Sequence, residues 1–188
     1  MKKYLILVKH SQPEVMESLP ARAWKLSEVG RARARQLAEE LARFQPQVIV
    51  SSDEPKAVET AEIVARRHQL DFRVGKGLHE HDRSNVPYLS QEEFQQSIRE
   101  LFQEPDQLVL GTETANQAYA RFYQAVHSIL SEHKNETVVL VTHGTVISLF
   151  VSRLTGRSEL EIWNMLGLPS FIAIDLHSNT LILRTNIV

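Results

Sequence analysis

The chain has 188 residues, 43% of them hydrophobic and 23% charged, which is the composition of an ordinary globular protein with room for a sizeable core. A formal net charge of −2 excludes the global basic field that holds nucleic acid or an anionic membrane, so affinity for an anion has to come from a local cluster. The absence of cysteine excludes disulfides, thiolate metal sites and a thiol nucleophile.

Lys2-Lys3 followed by Tyr4-Leu5-Ile6-Leu7-Val8 has the outline of a secretory leader, but the apolar run ends at Lys9, short of an h-region. No later stretch approaches a membrane-spanning length. The expectation is a soluble, cytoplasmic protein. Tyr4 to Val8, Val48 to Val50 and Thr137 to Val141 are short, β-branched and apolar on consecutive positions, as strands buried on both faces of a parallel sheet are. Between and after them lie helical patterns. Ser27 to Phe44 places Val29, Ala32, Ala34, Leu37, Ala38 and Leu41 along one stripe. Ser52 reads as the N-cap of a helix to about His68, with Asp53, Glu54 and Pro55 suited to its first turn. Further helices are expected from about Glu113 to Glu132 and from about Thr145 to Leu154.

Strand then helix, repeated, predicts an α/β three-layer sandwich: a mostly parallel central sheet with helices on both faces. Phe171 to Leu176 and Thr180 to Arg184, around His177-Ser178-Asn179, predict a terminal hairpin that gives the sheet an antiparallel edge strand near the C-terminus. Residues 1–188 read as one domain. The irregular segment 80–111, with Pro87 and Pro105 around a short helical pattern from Gln91 to Phe102, reads as an insertion over one sheet edge that covers the site.

Each of the three strands runs directly into polar residues: Lys9-His10-Ser11, Ser51-Ser52 with Lys56 shortly after, and Thr142-His143-Gly144. Ligands in an open parallel sheet sit beyond the carboxyl ends of its strands, so two histidines and two lysines distant in sequence are expected along one edge. Helix N-termini near Ser52 and Gly144 would add backbone donors there. The combination predicts a site for a small anion, most simply phosphate.

These residues resemble the histidine phosphatase superfamily, the phosphoglycerate mutase-like family. Its Arg-His-Gly opening is matched by Lys9-His10-Ser11, and its Leu-Thr/Ser-x-x-Gly by Leu26-Ser27-Glu28-Val29-Gly30. Its Ser-Ser-x-x-x-Arg-Ala-x-x-Thr-Ala is matched by the run from Ser51 to Ala61 with Lys56 at the arginine, its Leu-x-Glu by Leu78-His79-Glu80, and its Val-x-His-Gly by Val141-Thr142-His143-Gly144. The resemblance implies a metal-independent phosphatase without a cofactor that acts on a small phosphorylated substrate. His10 would be the nucleophile that becomes phosphohistidine, Glu80 the general acid and base, and His143 a further donor to the phosphoryl oxygens. Lys9 and Lys56 would neutralise the phosphate and hold His10 neutral. A phosphate dianion beside Glu80 would raise its pKa.

Both family arginines are lysines here and the glycine after the nucleophile is Ser11, so a weaker phosphate grip is expected, because lysine lacks the planar fork. Ser11, His81 and Arg83 are further substrate-binding candidates: Ser11 as a donor or as a turn residue, the other two towards the substrate's distal portion. Asp82 is the alternative acid, and His79 with His81 lack a third ligand at metal spacing. Glu113, at a helix start, is expected to be structural. Phosphomonoester hydrolysis leads over a phosphoglycerate mutase, a phosphohistidine or phosphoprotein phosphatase, and a module that binds phospho-ligands without turnover. An exposed sheet edge would permit a homodimer.

Overall fold

In the computed structural model, which describes residues 2–178 and 181–184, the sheet has six strands. They are β1 (Tyr4–Lys9), β2 (Val48–Ser51), β3 (Arg73–Val74), β4 (Val138–Thr142), β5 (Ser170–Asp175) and β6 (Leu181–Arg184). Their spatial order is β3-β2-β4-β1-β5-β6. The first four run parallel in a register that pairs Lys9 with Thr142 and Ser51 with Val141. Strand β5 lies antiparallel to β1 and β6 antiparallel to β5, so the expected C-terminal hairpin is present; Asn179, expected between its strands, and Thr180, expected to open the second, lie outside the described residues.

Because successive side chains point to opposite faces, the buried runs feed two separate cores. Leu5, Leu7, Val50, Val138, Leu140, Ile172 and Ile174 pack on one face, and Ile6, Val8, Ile49, Val139, Val141, Phe171 and Ala173 on the other. The second face is covered by α1 (Glu28–Leu41) and α2 (Pro55–His68). The first is covered by α3 (Gln91–Gln103), α4 (Ala115–Glu132), α5 (Gly144–Thr155) and α6 (Glu159–Met165). Two elements escape the sequence patterns, β3 because it has two residues and α6 because it has seven.

The stripe of α1 is Gly30, Ala34, Leu37, Ala38 and Leu41. Val29 and Ala32, expected on it, are exposed, because Gly30 turns inward to meet the chain after β1. The Ser27 hydroxyl caps the Gly30 N–H at 3.0 Å and donates to the Gln12 carbonyl at 3.2 Å. A Cβ on Gly30 would fall 2.0 Å from that same carbonyl oxygen, so glycine is required by the approach of two backbones. The Leu-Ser-x-x-Gly pattern therefore sets the loop that follows His10.

The start of α2 corrects the sequence expectation. Its N-cap is Glu54 with Pro55 as first residue, and Ser52 stands before it, its hydroxyl accepting the Glu54 N–H at 3.3 Å. The cap of α4 is Thr114, in a capping box with Gln117, one residue after the expected start. No helix among the described residues is long and apolar enough to cross a membrane.

Candidate active site

The carboxyl ends of β1, β2 and β4 lie side by side, and His10 N–H donates to the Thr142 carbonyl at 2.9 Å, which seats the residue after β1 against the end of β4. The His10 ring meets the His143 ring edge-on, with centroids 5.1 Å apart. Nδ1 of His10 lies 2.7 Å from the Ser11 carbonyl oxygen. A carbonyl can only accept, so Nδ1 carries the proton of the neutral ring and Nε2 keeps its lone pair. Burial holds His10 well below the usual histidine range, and Lys56 and His143 push the same way. The ring is therefore neutral at pH 7 and able to act as a nucleophile.

His143 is fully buried at the N-cap of α5. Its Nε2 lies 2.8 Å from the Ser52 hydroxyl and 3.5 Å from Glu54 Oε1, while Nδ1 is buried without a hydrogen-bond partner. Burial and then Lys56 hold this ring too well below the usual histidine range.

Lys9 and Lys56 both reach the site, but their donors are partly engaged. Lys56 Nζ is 2.5 Å from Glu54 Oε2 and 2.7 Å from the Ala21 carbonyl oxygen. Lys9 Nζ donates to the Leu166 carbonyl at 2.9 Å, with the Trp163 ring 5.9 Å away. Burial lowers the Lys9 ammonium to about 8, against the opposing pull of Glu80.

Glu54 is a member of this buried cluster that sequence reasoning missed. It reads as a first-turn helix acid, yet it is only 5% exposed, pairs with Lys56, approaches His143, and accepts the Glu80 backbone N–H at 3.0 Å. The signal that could have found it is an acid two residues from the lysine, beside a Ser-Ser pair at a strand end. A fixed carboxylate there competes with any incoming anion for Lys56. Replacing Glu54 with Gln is expected to lower the melting temperature in anion-free buffer, because it leaves Lys56 buried without its counter-charge. The same variant should gain more stability than wild type from added orthophosphate. Thermal unfolding with and without phosphate reads both effects, and equal gains in the two proteins would mean that Glu54 does not compete.

Glu80 takes the backbone donors that the sequence offered to the ligand. Its two oxygens accept Thr145 N–H at 3.2 Å, Val146 N–H at 3.3 Å and His81 N–H at 2.9 Å, so the carboxylate itself sits on the N-terminus of α5. Burial raises its pKa, but Arg83, His143 and the His81 N–H outweigh it, and the net direction is downward. Glu80 is thus ionised in the ligand-free protein.

The remaining candidates divide. The Ser11 hydroxyl donates to the Gly30 carbonyl at 2.7 Å and its N–H to the Thr60 hydroxyl at 3.1 Å, which is the turn role. His81 borders the cavity, but its Nε2 is held 2.6 Å from the Glu113 carbonyl oxygen. Asp82 accepts the Ser84 N–H at 3.0 Å and so folds back on its own loop. Arg83 lines the cavity with one nitrogen, Nη1, buried and without a partner. Glu113 is structural, accepting the Asp82 N–H at 2.9 Å and pairing with Arg121. Arg121 in turn donates to the carbonyls of Gly77, His79 and Glu80, and so holds the whole loop. Among the described residues no three His, Asp or Glu side chains gather as metal ligands.

A cavity of about 520 Å³ opens beside Glu54, Lys56 and Glu80, and neither His10 nor His143 forms part of its lining. Trp24, Tyr88, Phe94 and Leu19 contribute apolar walls, and Lys56, Glu80 and Arg83 polar groups.

A parallel sheet with two neutral histidines and paired cations at its carboxyl edge places the chain among α/β proteins that receive anions at that edge. Within that class it belongs to the histidine phosphatase superfamily (branch 1), whose family model matches residues 5–185. Phosphoglycerate mutase-like protein 4 of Arabidopsis thaliana is 29% identical over 137 residues, which are 69% of this chain and 60% of the relative's length. Among solved structures, a mycobacterial glucosyl-3-phosphoglycerate phosphatase superposes with a TM-score of 0.76 at 22% identity, covering 100% of both chains. Phosphoserine phosphatase from Entamoeba histolytica superposes with a TM-score of 0.76 at 17% identity, covering 96% of this chain and 94% of that one. Bacillus stearothermophilus YhfR gives 0.76 at 24%, covering 98% and 96%.

Proposed function

We propose that this chain hydrolyses phosphomonoesters through a phosphohistidine on His10. The observation that carries the reading is the His10 ring itself: buried, neutral, and with Nδ1 bound to the Ser11 carbonyl, so that Nε2 is the reactive atom. In the first step Nε2 forms a bond to phosphorus, the ester P–O bond breaks, and protonated Glu80 gives its proton to the departing alcohol. In the second step water attacks phosphorus, the P–N bond breaks, and the Glu80 carboxylate takes the water proton. Orthophosphate leaves and His10 is restored.

Glu80 is ionised in the free protein, so it must take up a proton as the phosphate dianion arrives. That dianion supplies the cause, since a like charge nearby favours the neutral acid. Asp82, spent on Ser84, is the poorer acid. Lys9, Lys56 and His143 stabilise charge on the transferring group, and fixed cations placed before the reaction account for much of catalysis in phosphoryl transfer. On this reading residues 1–188 form one domain, and the segment 80–111 covers the pocket and meets a small phosphorylated substrate in the cytoplasm.

The test is turnover of an aryl phosphate in the presence of a chelator, with intact-mass detection of an acid-labile adduct on quenched protein. Turnover with an adduct supports the reading. Absence of both would leave a module that binds phospho-ligands.

Lys9 adds a pH signature. Its ammonium is charged below pH 8 and neutral above, so kcat/KM, which reports the free enzyme, should fall above about pH 8. Arginine stays charged throughout, so Lys9→Arg should extend its plateau above pH 8 until Lys56, whose ammonium burial also lowers, loses its charge. The profile is measured across that range, and an unchanged alkaline limb in the variant would assign that limb to another group.

A further inference from the structure

The two lysines that replace the family's arginines cannot grip two phosphate oxygens at once, and their donors are partly spent. Lys56 is held by Glu54 and the Ala21 carbonyl, and Lys9 by the Leu166 carbonyl. An ammonium has three donors and no planar fork, so each lysine retains its charge but little directional capacity. On the loop that follows Glu80 stands a guanidinium in the reverse situation. Arg83 Nη1 is buried and has no acceptor, and Nη2 is 3.9 Å from Glu80 Oε2, beyond hydrogen-bond range.

A buried guanidinium N–H without an acceptor is costly, and an arriving oxyanion would remove that cost. The group is also oriented. Its Cζ lies 4.5 Å from the Phe94 ring centroid, and stacking on an aromatic face leaves the in-plane N–H groups free for a ligand. Its charge is felt at Lys9, Lys56, Glu80 and His143.

The backbone that presents Arg83 is braced. The Asp82 carbonyl accepts Thr112 N–H at 2.8 Å, and Asp82 N–H is held by Glu113. Gly111, at φ +80°, packs so closely that a Cβ would fall 2.0 Å from the Asp82 oxygen and 2.8 Å from the Arg83 Cα. Such bracing suits a group that must hold a small anion in one orientation.

We propose that Arg83 supplies the bidentate phosphate grip of this protein, taking over from the loop side the fork that is absent at Lys9 and Lys56. The proposal rests on the phosphomonoesterase reading above, and changes Arg83 from a contact for the distal part of the substrate into a ligand of the phosphoryl group. The lysine substitutions are then one half of a relocation, which leaves the strand side cationic and moves directional binding to the loop.

The experiment measures the dissociation constant of orthophosphate by calorimetry or ³¹P NMR, which requires no turnover. The proteins are wild type, Arg83→Ala, Arg83→Lys and the double variant Arg83→Ala/Lys56→Arg, each checked for an unchanged melting temperature. Losing charge-assisted hydrogen bonds should weaken phosphate by about 10-fold or more in Arg83→Ala. Arg83→Lys should recover little, because it restores charge without the fork. The double variant should recover at least several-fold, since it returns a guanidinium to the site at position 56. Phosphate binding by Arg83→Ala equal to wild type, with KM raised only for esters of large alcohols, would overturn the proposal and return Arg83 to the distal pocket. Full recovery in Arg83→Lys would also overturn it, by showing that charge alone suffices. If wild type neither binds orthophosphate nor releases it from any ester, the phosphomonoesterase reading falls and this proposal with it.

Discussion

His10→Ala should abolish phosphate release from every phosphomonoester, a loss on the order of 10⁴-fold or more, comparable to removal of a nucleophile elsewhere. The size follows from the geometry, because no neighbour can take over. His143, edge-on at 5.1 Å, points its Nε2 at Ser52 and Glu54, and moving it would break those buried contacts. The alanine variant should retain orthophosphate binding, since the cations remain. Its stability should be close to wild type, because the ring's bond is to its neighbour's carbonyl and not to a distant element. Intact mass after mixing with substrate should show the adduct on wild type and none on the variant. Residual turnover above about one part in a thousand, or a surviving adduct, would place the phosphoryl group on another residue.

Glu80→Gln should have the second largest effect, and its signature is a dependence on leaving group. General acid catalysis contributes about 10²–10⁴-fold. The full loss is expected for alkyl phosphates, whose alkoxides need a proton to depart. Nitrophenyl phosphate, whose phenolate leaves unaided, should phosphorylate His10 in the variant nearly as fast as in wild type. The water step then lacks its base, so the phosphohistidine should accumulate in the variant. Gln keeps one oxygen for the backbone N–H groups of Thr145, Val146 and His81 but turns an amide towards the rest, so a modest loss of melting temperature accompanies the kinetic change. Equal losses on both substrate classes, without adduct, would reduce Glu80 to the cap of α5.

Much of this architecture is legible in the sequence because it depends on short-range pattern. The continuous apolar runs of β1, β2 and β4 declare a parallel sheet, and the polar residues after each then fall on one edge by topology alone. His10 and His143 follow from that argument. What sequence could not show is how charges pair across the site. Glu54 looks like an ordinary first-turn acid until the chain from Ser51 bends through Ser52 and turns its carboxylate inward to Lys56. Thr145 and Val146 N–H look like open anion sites until the loop of Glu80, separated by more than sixty positions, delivers a carboxylate to them. The failure at Ser52 has the same source: its hydroxyl is drawn to His143, and the cap passes to Glu54. The exposure of Val29 is a tertiary outcome too, set by Gln12 pressing on Gly30.

The position of β1 in the sheet bears on how the protein is made. This strand, which leads into His10, precedes both of its neighbours in the chain, β4 at Val138–Thr142 and β5 at Ser170–Asp175. Both of its edges therefore wait until β4 and β5 have been made, and every pairing that β1 makes is long-range, the kind that closes slowly and leaves strand edges exposed meanwhile. Helix α1, the first to follow it, can pack against Ile6 and Val8 before either neighbour arrives and shield one face of the strand. His10 is thus made well before the strands that fix its place in the sheet.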